Sequence, residues 1–369
     1  MDFRMLLIIG CLMIISVLVI SSYTLNPSID HAEEALRTPI TRSQIQWFAI
    51  GIVVYFFFAG LDYNQLREWT WLLYTLMIIS LVGLFFTESI QNVHRWYRIP
   101  LLGSSFQPSE CAKFIVVITL SWFLEKHRST SASGQTAFYA ALIVGIPFLL
   151  ILKQPDLGTA LVLFPITLVM FYFGGIHPLI IKMMSIGGGL ALILVALLFL
   201  GILPHESIRP YATKVLKDYQ FDRLNPATHH QKSASTAIAL GSITGTGWRK
   251  SEYSGRGWLP APYTDSVFPA FGEEFGFLGL LFLLGLYYAL IYFSFQVTAV
   301  AKDPFGRLLS AGVAVYLAMH VLVNIGMMCG FLPITGVPLI LVTYGGSSVL
   351  TTMMALGILQ SIYCRRFMF

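Results

Sequence analysis

The sequence predicts an all-α polytopic membrane protein of about ten transmembrane helices, and three observations predict it. Of 369 residues, 56% are hydrophobic and only 11% are charged, where an ordinary soluble domain carries about 25% charged residues. Mean hydropathy is +0.74. The apolar residues also fall in runs long enough to cross a bilayer, at roughly 5–23, 44–60, 69–87, 108–124, 136–152, 157–174, 183–203, 267–295, 308–328 and 346–363. Together these exclude a cytosolic enzyme, a disordered chain and a secreted disulfide scaffold. Residues 1–369 read as one integral membrane domain.

The first run, Met5 to Ile20, has the apolar core of a signal peptide, but no small-x-small cleavage site follows it, so it reads as an uncleaved span. Ten spans put both termini on one side. With that side taken as the cytoplasm, the short inner segments hold Arg4, Arg67, Lys126, Arg128, Lys182, Lys302, Arg307, Arg365 and Arg366, against Arg37, Arg42, Arg95, Arg98 and Lys153 in the short outer ones. That asymmetry follows the positive-inside rule and predicts cytoplasmic termini. The net charge of +5 is small and scattered, which predicts no nucleic-acid partner. Cys11, Cys111, Cys329 and Cys364 have no metal-ligand or redox spacing and read as packed thiols.

One connection is long. The outer segment 204–266, before the eighth span, carries eight basic residues, Arg209 and Arg223 among them, and five acidic ones. A connection of that length in a compact protein is usually functional or disordered. Its glycine-rich part, Gly241 to Gly257, reads as flexible, whereas Trp248, Tyr253 and Trp258 predict partial packing.

A charge near the bilayer centre costs about 2.5–3.5 kcal/mol and is retained mostly where it faces a cavity or a partner. Glu110 and Lys113 open the fourth span three residues apart, on one helix face. They read either as a self-compensating ion pair or as the wall of an outward cavity. Asp156, in Gln154-Pro155-Asp156-Leu157-Gly158-Thr159, suits a helix cap in a tight turn, a role compatible with lining a site. Asp265 ends a proline-rich approach at the junction with the eighth span, and Glu273 and Glu274 follow about two turns later. Three acids at a water-to-lipid boundary point to a site. Gly245-Thr246-Gly247 lacks the strand-turn-helix context of a nucleotide loop. Between the last two spans, Leu332 to Ser348 is rich in Pro and Gly and reads as re-entrant backbone, which survives at membrane depth only when buried in protein or lining a cavity. His320 and Asn324, at i and i+4, read as interhelical hydrogen-bonding residues.

Phe106-Gln107-Pro108-Ser109-Glu110, Gln154 to Thr159, Thr264-Asp265 with Glu273-Glu274-Phe275-Gly276, Val323-Asn324-Ile325-Gly326, Leu332-Pro333 and Tyr344-Gly345-Gly346-Ser347 resemble the SEDS family of bacterial cell-shape, division and sporulation proteins over nearly the whole chain. Pro333-Ile334-Thr335-Gly336-Val337-Pro338 is similar to the elongation branch rather than the division branch. The chain departs from the family at Ala261-Pro262-Tyr263, where Glu-Arg-His is common, at Ser235 to Ala237, and at Ile340, where Pro is usual.

The resemblance implies a multi-pass protein of the bacterial cytoplasmic membrane that polymerises lipid II on its outer face. It implies peptidoglycan glycosyltransferase activity with a catalytic Asp at Asp265 and substrate or cavity residues at Glu110, Lys113 and Asp156. A class B penicillin-binding protein is the implied transpeptidase partner, beside other membrane proteins of the elongation complex. In the reaction a sugar hydroxyl attacks an anomeric carbon while a polyprenyl pyrophosphate leaves. That chemistry needs a base, placed at Asp265. It also needs positive charge for the diphosphate, for which Lys113, Arg209, Arg223 or a divalent cation such as Mg or Mn are the candidates, with no organic cofactor. The competing readings are a lipid II flippase and a non-catalytic scaffold for a penicillin-binding protein.

Overall fold

The computed structural model describes residues 2–23, 38–87, 95–99, 104–204, 209–210, 221, 225 and 228–367. Its helices are α1 (Phe3–Tyr23), α2 (Pro39–Gly60), α3 (Gln65–Gly83), α4 (Pro108–Lys126), α5 (Gly134–Lys153), α6 (Leu157–Phe173), α7 (Pro178–Phe199), α8 (His229–Leu240), α9 (Val267–Val300), α10 (Pro304–Met328) and α11 (Gly346–Cys364). Ten of them coincide with the ten apolar runs, shifted by a few residues at their ends. Eight are long and apolar enough to span a membrane on their own. Of the other two, α4 carries Glu110, Lys113, Glu125 and Lys126, and α6 has only 17 residues. Among the described residues the strands are two of three residues each, β1 (Tyr97–Ile99) and β2 (Ser104–Phe106), paired antiparallel just before α4.

Local chemistry sets the helix starts. Thr38, Ser133, Asp156, Thr228 and Asp303 each accept a hydrogen bond from a first-turn N–H at the head of α2, α5, α6, α8 and α10. Pro39, Pro108, Pro178 and Pro304 occupy first-turn positions where their missing N–H has no helical partner to lose.

Packing then sorts the helices. Helices α4 and α10 are buried almost all round and form the centre of one contiguous core that runs from Met5 to Ile362. Helix α7 buries only Leu198 of its 22 residues and touches the bundle along α6. Its outer face presents Leu190, Leu192 and Ile193, and similar residues lie exposed on α2, α3 and the second half of α9. Apolar surface on this scale is not stable in water; it is the lipid-facing girdle.

Two departures from regular helix shape the core. Helix α9 breaks at Gly276 (φ 64°, ψ −167°), which leaves a short buried arm, 267–275, ahead of the membrane-crossing part. Residues 333–339 between α10 and α11 are non-helical and largely buried. Side chains of the surrounding helices satisfy carbonyls within this segment and just beside it, beginning with Asn324, which donates to Val337 O (2.8 Å). Tyr287 donates to Ile340 O (2.8 Å), Ser16 to Val342 O (2.8 Å), Gln44 to Thr343 O (3.4 Å) and Gln231 to Leu332 O (2.9 Å). Irregular backbone at this depth is affordable for that reason.

Candidate active site

Asp265 stands in the turn one residue short of the α9 N-cap, Ser266, at one end of the bundle, and is half-buried. The turn is closed by Thr264 and Ser266 N–H bonds to Ala261 O. It is tied to the re-entrant segment by Tyr344 N–H to Tyr263 O (3.0 Å) and the Thr343 hydroxyl to Thr264 O (3.3 Å). From below, Asn324 of α10 donates to both Asp265 O (3.3 Å) and Val337 O (2.8 Å). Beside the carboxylate lies Gly336 at φ +76°, where a Cβ would sit 3.7 Å from Asp265 Oδ2. From the other side α8 brings His230, whose Nε2 is 2.6 Å from the Ser266 hydroxyl. Burial pushes the His230 imidazole below its ordinary range, and the Asp265 charge pulls the other way.

Beneath this turn lies a second polar group. Lys113 Nζ donates to Glu110 Oε1 (2.8 Å) and meets His320 Nε2 at 2.7 Å, while His320 Nδ1 lies 3.1 Å from Pro338 O. If the Nδ1–H donates to that carbonyl, Nε2 is left as the acceptor for the ammonium. The ammonium also lies 5.6 Å from the centre of the Tyr316 ring. The Glu110–Lys113 pair is therefore internally compensated, and through His320 it meets the re-entrant backbone. Glu110 Oε2 and Asn324 Oδ1 remain buried acceptors without a donor. Three consecutive residues, Gly336, Val337 and Pro338, link the Asp265 turn to the lysine cluster.

Asp156 is both a cap and a bridge. Its Oδ1 accepts from Thr159 N–H (3.3 Å), and its Oδ2 from Thr159 (2.9 Å), Ser109 (2.8 Å) and Gln107 (3.1 Å) side chains. It joins the heads of α4 and α6, with Ser109 next to Glu110. Gly158 in the same turn is pressed against the re-entrant segment, since a Cβ there would meet Thr335 O at 2.7 Å.

Glu273 and Glu274 correct the sequence reading. Both side chains are buried. Glu273 accepts from the N–H groups of Tyr253 (2.9 Å) and Ser254 (3.0 Å) and from the Ser254 hydroxyl. Glu274 accepts from Arg249 N–H (3.0 Å) and the Ser22 hydroxyl. Their own carbonyls take Thr246 and Gly247 N–H, and Trp248 donates to Leu18 O (3.1 Å). The glycine-rich stretch read as flexible is thus clamped between α1 and the broken α9, with Gly245 and Gly276 in backbone contact. Trp248 packs as expected. Arg209 is exposed, and Arg223 lies outside the described residues.

Sequence reasoning missed His230, the coupling of His320 to Lys113, and Gly336 as the residue beside the carboxylate. Only His320 had a signal, its helical spacing from Asn324. Among the described residues no group of three or more His, Cys, Asp or Glu side chains is placed to hold a metal ion.

A lipid-facing helical bundle with a broken helix and a re-entrant segment converging on one carboxylate defines a polytopic membrane protein with a polar site at one end. The model of the FtsW, RodA and SpoVE cell cycle proteins matches residues 3–366, and the chain belongs to this family, the SEDS family. It is 33% identical to the peptidoglycan glycosyltransferase MrdB of Escherichia coli K12 over 370 residues, covering 99% of this chain and 94% of that one. It is 30% identical to the peptidoglycan glycosyltransferase RodA of Treponema pallidum, covering 88% and 89%. Among solved structures it resembles a peptidoglycan synthase complex described as coordinating polymerisation and crosslinking (TM-score 0.77, 25% identity, 99% and 98% covered). The rod shape determining protein RodA of Thermus thermophilus has the same fold (TM-score 0.70, 23% identity, 99% and 97% covered).

Proposed function

We propose that this chain is a peptidoglycan glycosyltransferase of cell elongation that polymerises lipid II at the outer face of the bacterial cytoplasmic membrane, with its termini in the cytoplasm. The observation that carries the reading is the placement of Asp265: a half-buried carboxylate on a turn that is fixed from three sides, beside a glycine, at the end of the bundle, in a chain whose relatives bear that enzyme name. Asp265 accepts the proton of the attacking sugar hydroxyl. The hydroxyl oxygen bonds to the anomeric carbon as the bond to the polyprenyl pyrophosphate breaks. One displacement converts an α-linked donor into a β-linked product.

Lys113 is committed to Glu110 and His320, so it supplies positive field from beneath the site. Arg209 and Arg223 of the outer segment are assigned to the departing diphosphate. The donorless acceptors Glu110 Oε2 and Asn324 Oδ1 suit water or polar substrate groups at this depth. A class B penicillin-binding protein would cross-link the strands, in company with other elongation proteins.

The deciding experiment supplies purified protein with lipid II. Asp265→Asn is expected to yield no glycan chains while eluting and melting as the parent protein does. Undiminished polymer from that variant would remove Asp265 from the catalytic role.

A further inference from the structure

At the end of the bundle opposite Asp265, where α9 finishes and α10 begins, the described residues enclose a cavity of about 420 Å³ between the α4–α5, α6–α7 and α9–α10 connections. Each of two of these connections brings cationic side chains to it: Arg128 from the short 3-10 turn after α4, and Lys302 and Arg307 from the α9–α10 corner. The third connection supplies Gly174, and Ser131 lines the wall beside Arg128. The one carboxylate in the lining, Glu125, is already paired with Arg67 at 2.9 Å, and Arg67 in turn holds Asp303 at 2.7 Å. That local network of two acids and one arginine leaves a single negative charge against three positive ones around the cavity.

We propose that this cavity is a phosphate-binding site, the phosphate being that of an anionic phospholipid headgroup or of a soluble phosphate. Two guanidinium groups and an ammonium converging from separate chain segments match a tetrahedral anion better than a planar carboxylate, because each arginine can present two parallel donors to a different pair of oxygens. The surroundings favour a lipid source. Tyr172 and Phe173, at the end of α6 beside the cavity, are 68% and 46% exposed, so an apolar collar adjoins a cationic recess, the pairing of surfaces that suits a lipid headgroup.

The test is thermal unfolding of the full chain in phosphatidylcholine nanodiscs, alone, with phosphatidylglycerol included, or with pyrophosphate in solution. Phosphatidylglycerol is expected to raise the melting temperature of the parent protein. The rise should vanish in Arg128→Gln/Arg307→Gln and persist in Lys126→Gln/Lys182→Gln, which removes the same charge from the same end of the bundle outside the cavity. An equal rise from pyrophosphate alone, lost in the same cavity variant, upholds the site and makes soluble phosphate its ligand. A rise that survives in the cavity variant, one that falls equally in the lysine variant, or none from either ligand overturns the proposal. Should the double variant not fold, Arg307→Gln is read in the same way.

Discussion

His230 Nε2 and the Ser266 hydroxyl lie 2.6 Å apart, which fastens α8 to the residue that follows Asp265. This contact ties the outer segment to the turn that carries the proposed base. Burial holds the imidazole pKa below its ordinary value of about 6.5.

The sign of the resulting pH dependence follows. A histidine whose folded pKa is depressed binds fewer protons folded than unfolded, so its contribution is complete above about pH 6.5 and is lost as pH falls through and below that value. Acidification should therefore lower the melting temperature of the parent protein, and His230→Gln should flatten that part of the profile. Melting curves between neutral and mildly acid pH check it. An unchanged slope in the variant would show that His230 is not the titrating group.

The buried pair in α4 yields a second expectation. Lys113→Met leaves Glu110 as an uncompensated charge under the re-entrant segment, which costs about 3–5 kcal/mol when a buried partner is removed. Glu110→Gln/Lys113→Met should recover a large part of that loss, because both charges go together. Denaturation of the two variants measures the coupling. If the double variant is as unstable as the single one, the pair is not self-compensating.

Much of this architecture was legible in the sequence, for a physical reason. Lipid demands long apolar runs, so ten helices announced themselves by length and hydropathy, and charge scarcity made Glu110, Lys113, Asp156 and Asp265 conspicuous. The roles of Glu273 and Glu274 were not legible, because they depend on a kink at Gly276 that lets the 241–258 stretch fold back onto α9. His230 was invisible too. It sits in a 12-residue helix of low hydrophobicity inside a polar connection, where no periodicity distinguishes a packed side chain from a solvated one.

The clamp on the outer loop gives a third expectation. Glu273→Gln replaces a carboxylate that accepts three hydrogen bonds with an amide whose NH2 must face a donor, at a cost of about 1–3 kcal/mol. Gly276→Ala should be worse. It adds a penalty of about 1–3 kcal/mol for a side chain in a backbone region that glycine alone occupies readily, and drives a Cβ to 2.3 Å from Gly245 N. Limited proteolysis should cut within residues 241–258 faster in both variants while the spans stay protected. Equal protection in all three proteins would mean that the carboxylates do not hold the loop.

Gly336 tests the geometry around the proposed base without touching it. Its φ of +76° disfavours any side chain, and a Cβ would lie 3.7 Å from Asp265 Oδ2, in ordinary contact rather than collision. Gly336→Ala should thus cost about 1–2 kcal/mol through backbone strain and place a methyl group where a hydroxyl must approach the carboxylate. Asparagine tolerates the left-handed region better than alanine, so Gly336→Asn relieves strain while filling the same space more fully. If access to Asp265 is what matters, polymerisation should fall further in Gly336→Asn than in Gly336→Ala although its melting temperature is higher. If activity instead tracks melting temperature across the two variants, Gly336 serves the re-entrant backbone alone.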